Sequence, residues 1–197
     1  MWAALVLGSA LFLSRFVFAE LRALTQVVMP FHERQLPLVK QNLQSWAQFT
    51  PCHTASDPVE LVLYAAGSYS AALWADLNGT YHSLPGSVKQ CFKTFQITFA
   101  QLGPSDSYLN GTRLMFERML TKSLGYKHPV GFILYMEPDC RPVRVDWLGR
   151  LQKNVSQDPD PYWVKGSTFR GPSAVLHSPI LHNHLHVNGN AIYNVGD

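Results

Sequence analysis

Charge is scarce in this sequence: only 15% of its 197 residues are Asp, Glu, Lys or Arg, against 47% apolar residues. That balance excludes a disordered chain and leaves enough apolar surface for one buried core, so a single domain is expected. Lys and Arg stand singly and the formal net charge is only +3. The basic stripe that a nucleic-acid surface requires is therefore missing. Cysteine is scarce as well: Cys52, Cys91 and Cys140 have no CxxC spacing, which removes a structural zinc knuckle. HExxH and GxSxG are both missing, so neither that kind of zinc hydrolase nor a serine hydrolase is indicated. There are no internal repeats or low-complexity tracts.

What is present begins with an uncharged run from Trp2 to Leu13. It is shorter than the ~20 residues of a full membrane span and fits a signal-peptide core, with Val17-Phe18-Ala19 as a small-residue cleavage site. A short signal anchor, with Arg15 snorkelling to the interface, is the alternative, and a buried helix is the third. The expected division is a leader or anchor over 1–19 and one domain over 20–197. Asn78-Gly-Thr80, Asn110-Gly-Thr112 and Asn154-Val-Ser156 are acceptor triplets for N-glycosylation. With the apolar N-terminus they point to the secretory pathway. One disulfide with a thiol left over fits three cysteines. Cys52–Cys91 is the favoured pair because Cys140 falls in the motif below, and the other pairings stay open.

Along the chain, Thr25–Met29 reads as a short buried strand ended by Pro30, with Pro30–Glu33 as a turn. Leu36, Val39, Leu43 and Trp46 recur at helical steps, and Pro37 suits a first helical turn. Val59–Tyr64 reads as a second strand, Ser68–Leu77 as a helix, and Phe95, Ile97 and Phe99 alternate as in a third strand. Asn110 is expected to cap a helix through Leu124, with Met115, Met119 and Leu120 inward. Gly131–Met136 is an apolar run of strand length, and a short helix is expected over Asp146–Gln152. Strands alternating with helices predict an α/β fold, a mostly parallel central sheet with helices on both faces. Ligands of such sheets bind beyond the carboxyl ends of the strands, where Pro30–Glu33 and Glu137–Cys140 both fall.

The strongest chemical signal is Glu137-Pro138-Asp139. Two carboxylates one residue apart at a strand end converge on one point, with Pro138 stiffening the turn. Hard oxygen donors suit Mn²⁺ or Mg²⁺, which can bridge phosphates and stabilise a diphosphate leaving group.

In this context the sequence resembles the GT-A glycosyltransferases. Their first strand ends near Pro-x-x-Glu, matched by Val27–Glu33, and an acidic DxD motif closes a mid-domain strand, matched by the Glu-Pro-Asp variant at Glu137 and Asp139. Trp163–Gly171 followed by His186–Tyr193 looks like the segment that shapes their donor and acceptor pocket. The resemblance implies transfer of a sugar from a nucleotide-diphosphate donor to a glycan, glycoprotein or glycolipid acceptor, in the Golgi or ER lumen, with Mn²⁺ (or Mg²⁺) as cofactor. Pro30, Phe31, His32 and Glu33 would border the nucleoside, and Glu33 foremost. Asn188, Gly189 and Asn190 would contact the donor sugar, and Glu137, Asp139 and His186 would hold the metal. No residue has motif support as catalytic base. Glu replaces Asp at the first motif position, Cys140 follows the motif, and the chain ends at Val195-Gly-Asp197, so an incomplete C-terminal part is expected. Two alternatives accompany this reading. One is a catalytically inactive relative. The other is a secreted metal-binding protein using His177, His182, His184 and His186, of which His184 and His186 would share one face of a strand.

Overall fold

The structure is a computed structural model that describes residues 23–53, 59–121, 131–158, 160, 162–168 and 187–196. Six strands form one sheet: β1 (Leu24–Phe31), β2 (Val59–Ala65), β3 (Phe92–Phe99), β4 (Phe132–Tyr135), β5 (Val164–Thr168) and β6 (Val187–Asn194), in the spatial order β3-β2-β1-β4-β6-β5. The first four are parallel to one another, whereas β6 runs antiparallel to β4 and β5 antiparallel to β6. The helices are α1 (Leu36–Ser45), α2 (Ala71–His82), the short α3 (Gly86–Lys89), α4 (Tyr108–Leu120) and α5 (Trp147–Gln157). The predicted α/β class, mostly parallel, is the observed one.

Successive side chains of a strand point to opposite faces, and both faces here are buried. Val27, Met29, Leu61 and Leu63 meet Val39 and Leu43 of α1, Leu77 of α2 and Leu148 of α5. Val28, Val62, Ile133 and Tyr135 meet Met115 and Met119 of α4 on the other side. Trp46 anchors the first face, stacking on Phe92 at 5.4 Å and tilting against Trp147 at 5.4 Å. A Cys52–Cys91 disulfide, with 5.7 Å between the Cα atoms, ties the loop after α1 to the start of β3 and leaves Cys140 free. That is the favoured pairing.

Several boundaries differ from expectation. Helix α2 runs over Ala71–His82 rather than Ser68–Leu77, because Ser70 caps it by accepting from Leu73 N–H at 3.2 Å. Pro30 does not end β1; the strand continues to Phe31, with Pro30 in register with Tyr64. The Val28 carbonyl accepts from Met136 N–H at 2.9 Å, where β4 gives out. Pro30 faces that same side two residues on, past the end of β4, so its missing N–H interrupts no ladder. Helix α4 begins at Tyr108 with Ser107 as its N-cap residue, not at Asn110. Gly111 N–H already donates to Ser107 O at 2.8 Å, and Asn110 Oδ1 instead accepts from Arg113 at 3.1 Å. The helix ends at Leu120, with Thr121 as its C-cap residue, short of the expected Leu124. The last helix runs to Gln157, five residues beyond expectation. Asp146 precedes it in the left-handed region at φ 60°, and its carboxylate occupies the space a Cβ would need at Gly149. The leader segment 1–19 also lies outside the described residues.

Candidate functional site

A cleft of about 1010 Å³ opens at the carboxyl ends of β1 and β4, within the range of small-molecule sites. Pro30, Phe31 and His32 line it from β1, and Glu137, Pro138 and Asp139 from the turn after β4. The two turns singled out in the sequence therefore share one cavity. The α4 side contributes Arg113 and Phe116, and the preceding loop contributes Asp106.

The β4 turn is held from two directions. Asn190 of β6 reads Glu137 at two points: its Oδ1 accepts the Glu137 backbone N–H at 2.6 Å, and its Nδ2 donates to Glu137 Oε2 at 2.8 Å. From α1, the fully buried Asn42 donates from Nδ2 to the carbonyls of Pro138 at 3.2 Å and Cys140 at 2.7 Å. Its own Oδ1 accepts from Trp46 Nε1 at 3.0 Å. Cys140 N–H donates to Glu137 O at 3.0 Å, closing the turn. Glu137 is thus half-buried and oriented, whereas Asp139 is exposed at the tip.

The β1 turn is organised by its neighbours in sequence. His32 Nδ1 accepts from Arg34 N–H at 3.1 Å, and Gln35 Oε1 accepts from His32 N–H at 2.9 Å, a reciprocal capping box for the 3-10 turn Glu33–Gln35. Because Nδ1 is an acceptor, the neutral ring carries its proton on Nε2, which faces Asp106 Oδ2 at 3.3 Å. Glu33, expected foremost at the nucleoside, is not among the residues lining the cleft. Its carboxylate reaches toward β2, where a Cβ on Gly67 would lie 2.9 Å from Glu33 Oε1.

An aromatic wall stands beside Glu137. Phe116 meets Tyr135 and Tyr193 edge-on, at 5.6 and 5.1 Å between centroids. Burial, reinforced by the Glu137 charge, raises the Tyr135 and Tyr193 phenols above the ordinary tyrosine range. Burial also pushes the Cys140 thiol up, with Asp139 and Glu137 adding to it. A protonated thiol there is a poor nucleophile.

Among the predicted residues, the structure brings Pro30, Phe31, His32, Glu137 and Asp139 together and joins Asn190 to Glu137 directly. Asn188 and Gly189 lie on β6, with side chains outside the described ones. His186, with the other histidines of the 177–186 cluster, lies outside the described residues. Sequence reasoning missed Asn42 and Asp106. Asn42 had a legible signal, a polar residue three positions after Val39 on the apolar stripe of α1. Asp106 had none.

No protein-family model matches the chain, and no curated protein matches it. Solved structures do. The galactosyltransferase LgtC, in complex with donor and acceptor sugar analogues, superposes with a TM-score of 0.54 at 12% identity, over 87% of this chain and 58% of that one. An active-site mutant of LgtC gives 0.55 at 12% identity over 87% and 57%. The bifunctional glycosyltransferase WbbM, without ligand, gives 0.55 at 11% over 88% and 32%. The chain has a GT-A glycosyltransferase fold. At these identities the likeness establishes the GT-A architecture, and this chain spans little more than half the length of LgtC. Within the GT-A frame the acidic turn occupies a strand end of the kind where open α/β sheets bind ligands.

The donor set can be weighed against a divalent cation. No three His, Cys, Asp or Glu side chains form a cage among the described residues. Mg²⁺-like ions are commonly held by one or two carboxylates together with waters and substrate phosphates, so the oriented Glu137 and the exposed Asp139 fit such an ion.

Proposed function

We propose that this chain binds a nucleotide-diphosphate sugar together with Mn²⁺ or Mg²⁺ in the cleft and transfers the sugar to a glycan, glycoprotein or glycolipid acceptor. The observation that carries the reading is the convergence of Pro30–His32 and Glu137–Asp139 on one cavity in a GT-A fold. Glu137 and Asp139 would hold the cation on the diphosphate side, with His186 as the candidate third ligand. A bound cation supplies neutralisation of charge developing on the diphosphate leaving group. Asn190 orients the Glu137 carboxylate, while Phe116 and Tyr193 give the cleft an apolar wall against which a ring can pack. Pro30, Phe31 and His32 would border the nucleoside, and Asn188 and Gly189 the donor sugar.

A secretory location, Golgi or ER lumen, is part of this proposal, as is membrane association through the N-terminal segment. The Cys52–Cys91 bridge supports the location, since disulfides persist in oxidising compartments. The three glycosylation triplets agree with it.

Calorimetric titration with UDP and GDP, with and without Mn²⁺, tests the proposal. Metal-dependent binding of one nucleotide, lost in a Glu137→Ala/Asp139→Ala double mutant, is the expected result. A folded protein that binds neither nucleotide overturns it.

A further inference from the structure

Two asparagines that touch the acidic turn without standing at its tip carry a further inference, which rests on the function proposed above. The turn after β4 is short, and its two carboxylates differ in exposure: Glu137 is half-buried and Asp139 is exposed. A free glutamate has three side-chain torsions, and each one fixed before a cation arrives removes an entropic cost from binding. Asn190 removes that freedom at both ends of Glu137, with one bond to its backbone N–H and one to its carboxylate. The bond to Oε2 leaves Oε1 as the oxygen without that engagement. Asn42 acts at different atoms of the turn, the carbonyls of Pro138 and Cys140, which flank Asp139.

We infer that Asn190 and Asn42 are positioning residues that preset the Glu137–Asp139 turn for a divalent cation, Asn190 by orienting the Glu137 carboxylate and Asn42 by fixing the backbone that carries Asp139. Each asparagine matches its task chemically. The turn offers Asn190 one donor and one acceptor, and a single amide supplies the complement to both. Asn42 faces two carbonyls and one indole N–H, and again an amide in one orientation satisfies all three. An aspartate at position 42 keeps the acceptor for Trp46 but sets a carboxylate against two carbonyl oxygens. An alanine at position 190 removes both bonds to Glu137 at a half-buried site, where water can take over the freed N–H.

The test is Mn²⁺ binding in the presence of UDP or GDP, read by electron paramagnetic resonance on the full chain, alongside hydrogen exchange at the Glu137 amide. Asn190→Ala is expected to weaken Mn²⁺ about tenfold, the usual scale for removing a partner that orients a metal ligand, and to speed exchange at Glu137. Asn42→Asp is expected to weaken Mn²⁺ at least as much. Leu77→Val, a core change remote from the turn, is the control for a merely structural effect and should lower thermal stability while leaving Mn²⁺ affinity unchanged. If Asn42→Asp fails to fold, Asn190→Ala decides alone. Wild-type Mn²⁺ affinity in both variants, with binding still abolished by Glu137→Ala/Asp139→Ala, overturns this inference and leaves the proposed function standing. A wild-type chain that binds no Mn²⁺ overturns both.

Discussion

The turns that end β1 and β4 sit side by side on one cleft, yet they are built on opposite plans. The β1 turn satisfies itself: His32, Arg34 and Gln35 exchange their hydrogen bonds within three residues of chain. Its longer-range tie in the cleft is the 3.3 Å approach of His32 to the half-buried Asp106. The β4 turn depends on partners 53 positions away at Asn190 and 96 to 98 away at Asn42. A turn of the first kind forms wherever its few residues meet. One of the second kind takes its shape only after α1 and β6 have docked, and it inherits the rigidity of the sheet. Rigid support suits carboxylates proposed to hold a small cation in fixed geometry, whereas a locally capped turn is adequate for residues proposed only to border a nucleoside.

The comparison can be broken at several points. The largest effect should come from a change that touches neither turn. Replacing Cys52 and Cys91 by serine opens a link between positions 39 apart, and loop-closure entropy puts the loss near ~4 kcal/mol. Urea unfolding should show that loss, while Mn²⁺ affinity in the folded fraction stays unchanged. Next is Asn42→Leu, which strands Trp46 Nε1–H and the carbonyls of Pro138 and Cys140. At roughly 1 kcal/mol for each orphaned group, the cost is about 3 kcal/mol by the same unfolding measurement. Unlike the disulfide change, it should also weaken Mn²⁺. Asn190→Ala sharpens the contrast, since metal titration should register about a tenfold loss while the thermal midpoint moves little. The smallest effect belongs to Gln35→Ala in the locally built turn. Losing one arm of the capping box should cost about 0.5–1 kcal/mol in stability and leave Mn²⁺ binding untouched. A Gln35 variant that loses the metal would show that the two turns are coupled after all.

The same division decides what could be read from the sequence. Local periodicity sufficed for the strands and helices: Val39 and Leu43 of α1, the apolar run of β4 and the alternation in β3 all lie where their spacing predicts. Glu137 and Asp139 were legible because strand, motif and turn are contiguous. The start of α4 was misread because Asn110 looks like a cap, whereas the preceding residues had already begun the i→i−4 ladder at Ser107. Glu33 was singled out by its spacing from Pro30, and the 3-10 turn carries its carboxylate toward Gly67, a placement that no pattern in the sequence encodes. The engagement of Asn190 with Glu137 was not legible, because it depends on β6 running antiparallel beside β4, with Tyr135 opposite Ala191. Nothing within a few residues of either position encodes that register.

The central claim is that the β4 turn is the cation end of a nucleotide-sugar site. Its most direct test is an anomalous diffraction map collected at the manganese edge from crystals grown with Mn²⁺ and the nucleotide that binds. The account predicts a peak within coordination distance of the Glu137 and Asp139 carboxylates, with the diphosphate beside it. A peak at the histidines between 177 and 186 with none at Glu137, or no peak in crystals that contain the nucleotide, would contradict it.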